Sequence, residues 1–272
     1  MKLSPVIVPF LALAIPVFGQ DLFGQEAKLN CDSYNRNGKY ERSCEMRETR
    51  LPATQRLEVL AAPNGGVSIR GWNRQEILVR SRVEAQAKSE GEAKTLASQV
   101  QVQAGAGRVT ATGPERNHGN DAWWSVSYEV FVPHRIDLKA SGVNGSVNLS
   151  DVEGDITYST VNGGVNLTRL AGRVHGETVN GGVNIDMAGD RWQGVGLDAQ
   201  TVNGGVNVSL PMNYSAKILA STSNGGLRTE FPVAMSGDLR RNKNLEFNVG
   251  SGGAPIRITT QNGGVHIKKK AI

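Results

Sequence analysis

Five carboxylates, Asp155, Glu177, Asp186, Asp190 and Asp198, lie in a stretch dominated by recurring asparagine and glycine. Cleaving a glycosidic bond takes two such groups on one face, an acid to protonate the leaving oxygen and a carboxylate to activate water or attack. Counted from the nearest repeat glycine, Glu177 and Asp186 share offset five and are expected to face the same side of neighbouring segments; Asp155 falls at offset one. That is thin for a catalytic set, because a carboxylate on a wet strand is ordinarily just solvated. His118, His134, His175 and His266 occupy polar turns, strand ends or wet-face positions, and no His-Glu-x-x-His spacing or repeated calcium loop occurs. Cys31 and Cys44 enclose the very polar residues 32–43 and have no Cys or His neighbour to complete a ligand set. A disulfide closing so short a loop contributes about 3 kcal/mol in an oxidising compartment. No catalytic residue, metal ligand or cofactor is therefore assigned. Trp72, Trp123 and Trp192 are the candidate binding surface, provided they gather on one face.

The elements that would position these groups follow from an internal repeat. Asn-Gly-Gly-Val occurs at Asn64, Asn162, Asn180, Asn203 and Asn262, with variants at Asn144 and Asn224. Asn144, Asn162 and Asn180 are 18 residues apart, and the later spacings are 23, 21 and 38. A unit this short cannot bury its own apolar face, so copies must stack. From Gly145 to Gly181 a glycine recurs every ninth residue, with apolar residues at offsets two, four and seven, as in Val147, Leu149, Val152 and in Ile156, Tyr158, Val161. Offsets two and four alternate as a strand does, and offset seven implies a bend. Two nine-residue units make an 18-residue coil of an all-β solenoid, or β-roll; an antiparallel β meander is the alternative, since Asn-Gly is a strong hairpin signal. The solenoid is preferred because Asn-Gly corners alternate with Glu153-Gly154 and Ala171-Gly172. It predicts a structural turn column of Asn144-Gly145, Asn162-Gly163, Asn180-Gly181 and Asn203-Gly204, the glycines supplying a permissive backbone conformation. Thr157, Ser159, Thr160, Thr168, Thr178, Thr201, Ser221 and Thr222 are expected to point outward, and residues 190–196, with Trp192, to protrude as a loop.

Residues 50–140 read as a wider β part containing one helix. Ser89 and Glu92 form a capping box ahead of Ala93, Leu96, Ala97 and Val100, and Trp124 to Val132 alternate as a strand ended by Pro133. The expected division is a signal peptide over 1–19, a polar disulfide arm over 20–49 and a β-repeat domain over 50–268, with coils from 141. Residues 1–19 carry Lys2 and an apolar stretch too short to anchor in a bilayer, and no later segment could span one. The chain should thus be exported, periplasmic or extracellular.

Thirty-three glycines in 272 residues are near twice the usual share, and they mark turns. Charge is uneven: residues 141–210 hold seven acids and three bases, residues 211–272 nine bases and three acids. The basic end suits peripheral contact with an anionic surface, or simply protects an open strand edge through Lys268, Lys269 and Lys270. Export and the lack of aromatic–basic interleaving argue against nucleic acid. The expected partner is an unidentified envelope polymer or protein.

The stretch from Asn64 to Trp72, the helix around residues 93–100, the Pro133-terminated strand and the run of Val-Asn-Gly-Gly-Val together resemble the bacterial putative-adhesin family, over roughly residues 50–268. The resemblance implies a β-solenoid or β-roll and an exported or cell-envelope location, and it supplies no catalytic or ligand residue. With it, the expected function is a non-enzymatic cell-envelope protein, an adhesin-like binding module or a structural scaffold; a polysaccharide-acting solenoid enzyme is the alternative.

Overall fold

In the computed structural model, residues 29–31, 40–115, 122–233 and 243–270 are described. The N-terminal part comprises β1 (Glu41–Pro52), β2 (Arg56–Asn64), β3 (Val67–Trp72), β4 (Glu76–Ala87), α1 (Glu90–Gln99), β5 (Gln101–Gly105), β6 (Arg108–Thr112) and β7 (Trp123–Pro133). The coils follow as β8 (Asp137–Asn144), β9 (Val147–Ser150), β10 (Glu153–Asn162), β11 (Val165–Thr168), β12 (Ala171–Asn180) and β13 (Val183–Asp186). The last part holds β14 (Gly196–Asn203), β15 (Val206–Pro211), β16 (Ala216–Asn224), β17 (Leu227–Thr229), β18 (Asn244–Val249), β19 (Pro255–Asn262) and β20 (Val265–Lys270).

Each coil is a long strand, an Asn-Gly corner, a short strand and a second corner. Long strands stack in parallel in one sheet, short strands in the other, so the solenoid and not the meander is the fold. The core is the space between the sheets. Val147, Leu149, Val165, Leu167, Val183 and Ile185 fill it from the short strands; Ile156, Tyr158 and Val174 fill it from the long ones. Burying each of the larger side chains contributes about 1.5–3 kcal/mol.

The two faces do not share one phase, and this corrects the nine-residue unit. Offset seven is buried after short strands, at Val152 and Leu170, because a corner lies between. On long strands the alternation runs on unbroken, so Thr160, Thr178, Thr201 and Thr222 point inward, and Val161, Val179 and Val202 point out. The threonines expected outside are inside because each hydroxyl has a partner there: Thr160, Thr178 and Thr201 donate to the carbonyls of Gly145, Gly163 and Gly181, at 2.8–2.9 Å. Thr157 is exposed, and Ser159, Thr168 and Ser221 are partly exposed.

The corner glycine is also required for a different reason from the one expected. Gly145, Gly163 and Gly181 do not have positive φ. A Cβ on Gly163 would stand 2.1 Å from the Gly145 carbonyl oxygen, so close stacking of coils excludes any side chain there. At the opposite corner Asp151 and Arg169 do take positive φ, and they form a two-pronged ion pair at 2.6 and 2.7 Å.

Two ends close the stack. At the first, β4 pairs antiparallel with β7 and with β1, and β3 pairs with β7. Thus the strand β1 crosses the boundary expected at residue 50, and the segment from Glu41 belongs to the sheet rather than to a separate arm. α1 begins where the sequence places it: Ser89 accepts from the Glu92 N–H, and Ala93, Ala97 and Val100 are buried. At the other end the chain doubles back. β19 lies between β14 and β16, and β20 between β15 and β17, so the C-terminal coil is inserted inside the stack. Lys268–Lys270 therefore do not guard an open end, and the 38-residue gap holds β17, the antiparallel β18 and the long strand β19 rather than two further coils.

Candidate binding surface

The Asn-Gly corners form one continuous column. In spatial order it runs Asn64, Asn144, Asn162, Asn180, Asn203, Asn262, Asn224, each side-chain amide donating to the preceding Oδ1 at 2.8–2.9 Å. Asparagine suits this because one amide carries both donor and acceptor along the stacking direction. A second column, Asn148, Asn166, Asn184 and Asn207, runs along the outer face of the short strands at 2.6–3.0 Å. Beside the corner column stand Val143, Val161, Val179 and Val202, aligned by strand register and each 36–42% exposed. The sequence reading placed Val161 inside; counting the alternation through Thr160 is the signal that would have found this exposed row.

The three tryptophans do not gather. Trp192 is buried, its indole N–H donating to the Gly172 carbonyl at 2.9 Å. The segment carrying it folds onto the coil instead of protruding, with Gly172 N–H donating to Gln193 and Val195 N–H to Gly172. Trp72 lies opposite Pro133 at one end of β7, and Trp123 begins the other end of that strand. Both are half-buried. Trp72 packs on Phe131 at 5.3 Å, with the Arg74 guanidinium 4.9 Å above it, and Arg80 lies 5.5 Å over Phe131. Trp123 has Arg42 at 6.0 Å. The Trp72–Phe131–Arg74 group is a local cluster that sequence spacing did not reveal, since Phe131 comes from β7 while Trp72 ends β3 and Arg74 follows it.

The five carboxylates are dispersed. Asp155, Glu177 and Asp198 lie on β10, β12 and β14 of the long-strand sheet, whereas Asp186 lies on β13 of the other, so Glu177 and Asp186 do not share a face. Asp198 sits 3.8 Å from His175 and 4.0 Å from Arg257, and Asp186 pairs with Lys270. The Asp190 carboxyl, hydrogen-bonded by Arg191, is held below the ordinary carboxylate range, the opposite of what a general acid needs. His134 Nδ1 meets the Asp151 carbonyl at 2.7 Å, and His266 lies 3.8 Å from Glu230; His118 is outside the described residues. Among the described residues no group of three His, Cys, Asp or Glu is placed to hold a metal ion, and no helix is long and apolar enough to cross a membrane.

Cys31 and Cys44 form a disulfide, with Cα atoms 5.9 Å apart. Cys44 pairs with Glu84 in the sheet, and Arg82 donates to the Asn30 carbonyl at 3.2 Å, so residues 30–31 are tied against the sheet. The bridge is part of the β structure's first end and not remote from it. The expected signal peptide lies outside the described residues.

Against known families, residues 50–268 match the Toastrack DUF4097 family. The chain belongs to this family. No curated protein matches it. Solved structures similar to this toastrack chain include a "putative cell adhesion protein" from Clostridium sporogenes ATCC 15579, at 15% identity and a TM-score of 0.48, covering 85% of this chain and 100% of that one. A "putative adhesin" from Bacteroides fragilis NCTC 9343 has 10% identity, a TM-score of 0.35 and coverage of 83% and 97%. A "putative lipid binding protein" from Parabacteroides distasonis ATCC 8503 has 10% identity, a TM-score of 0.34 and coverage of 84% and 96%. Similarity this low transfers no ligand to the toastrack chain.

Proposed function

We propose that this toastrack protein is an exported, non-catalytic component of the cell envelope whose solenoid serves as a structural scaffold. The observation that carries the reading is the unbroken asparagine column over seven coils, combined with tryptophans that are dispersed and, at Trp192, buried. A column of this kind fixes register and stiffens a rod; it does not build a concave pocket for a small ligand. Export rests on the apolar residues 1–19 and on a disulfide suited to an oxidising compartment.

Adhesin-like binding of an envelope polymer or protein is the second reading, favoured by the Trp72–Phe131–Arg74 cluster on the outer face of β3 and β7. The basic C-terminal part offers less to an anionic surface than its formal charge implies, since Lys217 pairs with Glu246 and Lys270 with Asp186. The polysaccharide-acting reading has the least support, given carboxylates that face different neighbours.

The test is capture of envelope components by the mature protein, alongside a glycan array and turnover assays on acidic polysaccharides. The scaffold reading expects no glycan retained and no turnover. A reproducible glycan lost in Trp72→Ala would replace it with the binding module, and measurable chain cleavage would install the enzyme.

A further inference from the structure

The seven Asn-Gly dipeptides of the column share a local sequence but not an environment. Asn64, Asn144, Asn162, Asn180, Asn203 and Asn262 each have an Oδ1 that accepts from the next asparagine of the stack. Asn224 only donates, to Asn262 at 2.9 Å, and among the described residues its Oδ1 accepts nothing. Five of the glycines that follow are engaged as well. The N–H groups of Gly65, Gly145, Gly163, Gly181 and Gly263 donate to the asparagine carbonyl of the adjoining coil at 3.0–3.1 Å. Gly204 is enclosed between the corners of Gly181 and Gly263, where hypothetical Cβ atoms would stand 2.0 Å from a neighbouring carbonyl oxygen. Gly225 is the last corner. β17 ends the short-strand sheet; past β18 the Thr222 N–H donates to the Lys243 carbonyl at 2.9 Å and Lys243 Nζ donates to the Gly225 carbonyl at 2.7 Å, so among the described residues one lysine side chain and no coil lies on Gly225, whose N–H has no acceptor. Asn224 is exposed.

We propose that Asn224 is a site of spontaneous modification, deamidating to aspartate and isoaspartate ahead of the six other asparagines in the column. The reaction requires the asparagine side chain to swing onto the next residue's backbone nitrogen, and a glycine leaves that nitrogen unhindered. The Gly225 nitrogen bonds to the Asn224 Cγ and the Cγ–Nδ2 bond breaks. The side-chain nitrogen leaves as ammonia, carrying the proton given up by the Gly225 amide. Water then opens the five-membered imide at either carbonyl. One water is consumed, one ammonia is released, and no electron changes hands. Asn144, Asn162, Asn180, Asn203 and Asn262 resist because each side chain is held by hydrogen bonds on both sides, with the glycine N–H engaged at all but Asn203; at Asn64 the Oδ1 accepts from Asn144 and the Gly65 N–H is engaged. Opening them requires separating coils, whereas the last corner needs only local fraying.

Modification would remove the donor that Asn224 extends to Asn262 and set a carboxylate against the Asn262 Oδ1, two acceptors facing each other. The stack would then lose its final rung while the others persist, so the solenoid carries a chemical record of its age at one end.

The experiment is incubation of the folded mature protein in mildly alkaline buffer, with peptide mapping by mass spectrometry and isoaspartate detection over time. The peptide containing Asn224 should gain one mass unit at least about tenfold faster than any peptide covering the other six corners, a factor matching a modest difference in local opening. In urea all seven should react at similar rates, which shows that folding and not local sequence sets the order. Asn224→Gln should abolish the early product without altering the rest. Asn37-Gly38 lies outside the described residues and is followed as a separate peptide. Equal rates at Asn162 and Asn224 in the folded protein would overturn the proposal, as would an unmodified Asn224 once the urea-treated sample has reacted.

Discussion

Thr178 carries more of the coil's integrity than its polarity suggests. It is fully buried, and its hydroxyl reaches the Gly163 carbonyl at 2.9 Å. Valine would fill the same volume and leave that carbonyl without this donor. Thr178→Val is therefore expected to cost about 1–3 kcal/mol, while Thr168→Val, on the outer face, should cost less than about 0.5 kcal/mol. Urea denaturation of both variants checks this, and equal losses would mean the inward phase is misassigned. Two buried tyrosines make a second residue-scale prediction. The hydroxyls of Tyr128 and Tyr158 are buried without a partner, and burial raises both above the usual phenol range, assisted at Tyr158 by the charge of Asp198. Tyr214 is pushed up to about 12 by burial and by Asp190. In the unfolded chain these phenols ionise near pH 10. The unfolded state thus loses protons first, so stability is intact below about pH 10 and falls as pH rises from there toward the folded values. Thermal melting followed from neutral to strongly alkaline pH should be flat and then drop; a flat profile throughout would refute the burial argument.

At the scale of elements, the first end of the stack is held by the β1–β4 pairing and by the contacts β1 makes inward. Arg47 turns into the structure and donates to the carbonyls of Val100 at 2.6 Å and Ala97 at 3.2 Å, satisfying the last turn of α1 and complementing its dipole. Twelve residue pairs join β1 to β4, so the disulfide is not what keeps β1 in place. The Cys31→Ser, Cys44→Ser double variant should keep its far-UV signature and lose at most about 3 kcal/mol. In limited proteolysis Glu41–Pro52 should remain protected, with any accelerated cutting before Glu41. Cuts inside β1, or cooperative unfolding of the whole molecule on reduction, would show that the bridge clamps the end of the stack.

For the whole molecule, the decisive feature is the C-terminal coil lying inside the stack. β19 and β20 each contact a strand on either side, and together they join the coil of β16 and β17 to the rest. Deleting residues 250–272 should therefore strip hydrogen-exchange protection from Leu227–Thr229, whose strand pairs with β20, although that segment precedes the deletion in sequence and β16 keeps its pairing with β18. Retained protection there would mean that the β16–β17 coil docks directly on the coil of β14 and β15, a slip the shared repeat permits because Asn224 would meet Asn203 in the same register.

The 18-residue return of Asn-Gly by itself determined a repeat that must stack, and favoured the solenoid with its column at Asn144, Asn162 and Asn180 because identical corners recur at the full period; the parallel register of β8, β10 and β12 is what excluded the meander. The helix start at Ser89 was equally local, a cap readable from four residues. Alternation within one strand was legible too, and carried through Thr160 it gives the side taken by Thr160 and Val161; what the sequence did not show is that the alternation continues so far. That depends on where the long strand ends, and on a glycine carbonyl supplied by the neighbouring coil. The burial of Trp192, the separation of Glu177 from Asp186 onto different sheets, and the insertion of β19 and β20 between earlier coils are all long-range outcomes. They were decided only by the tertiary structure, because the repeat makes every coil a suitable neighbour for every other. Sequence order alone carries no term that selects among such neighbours; the packing of the ends does.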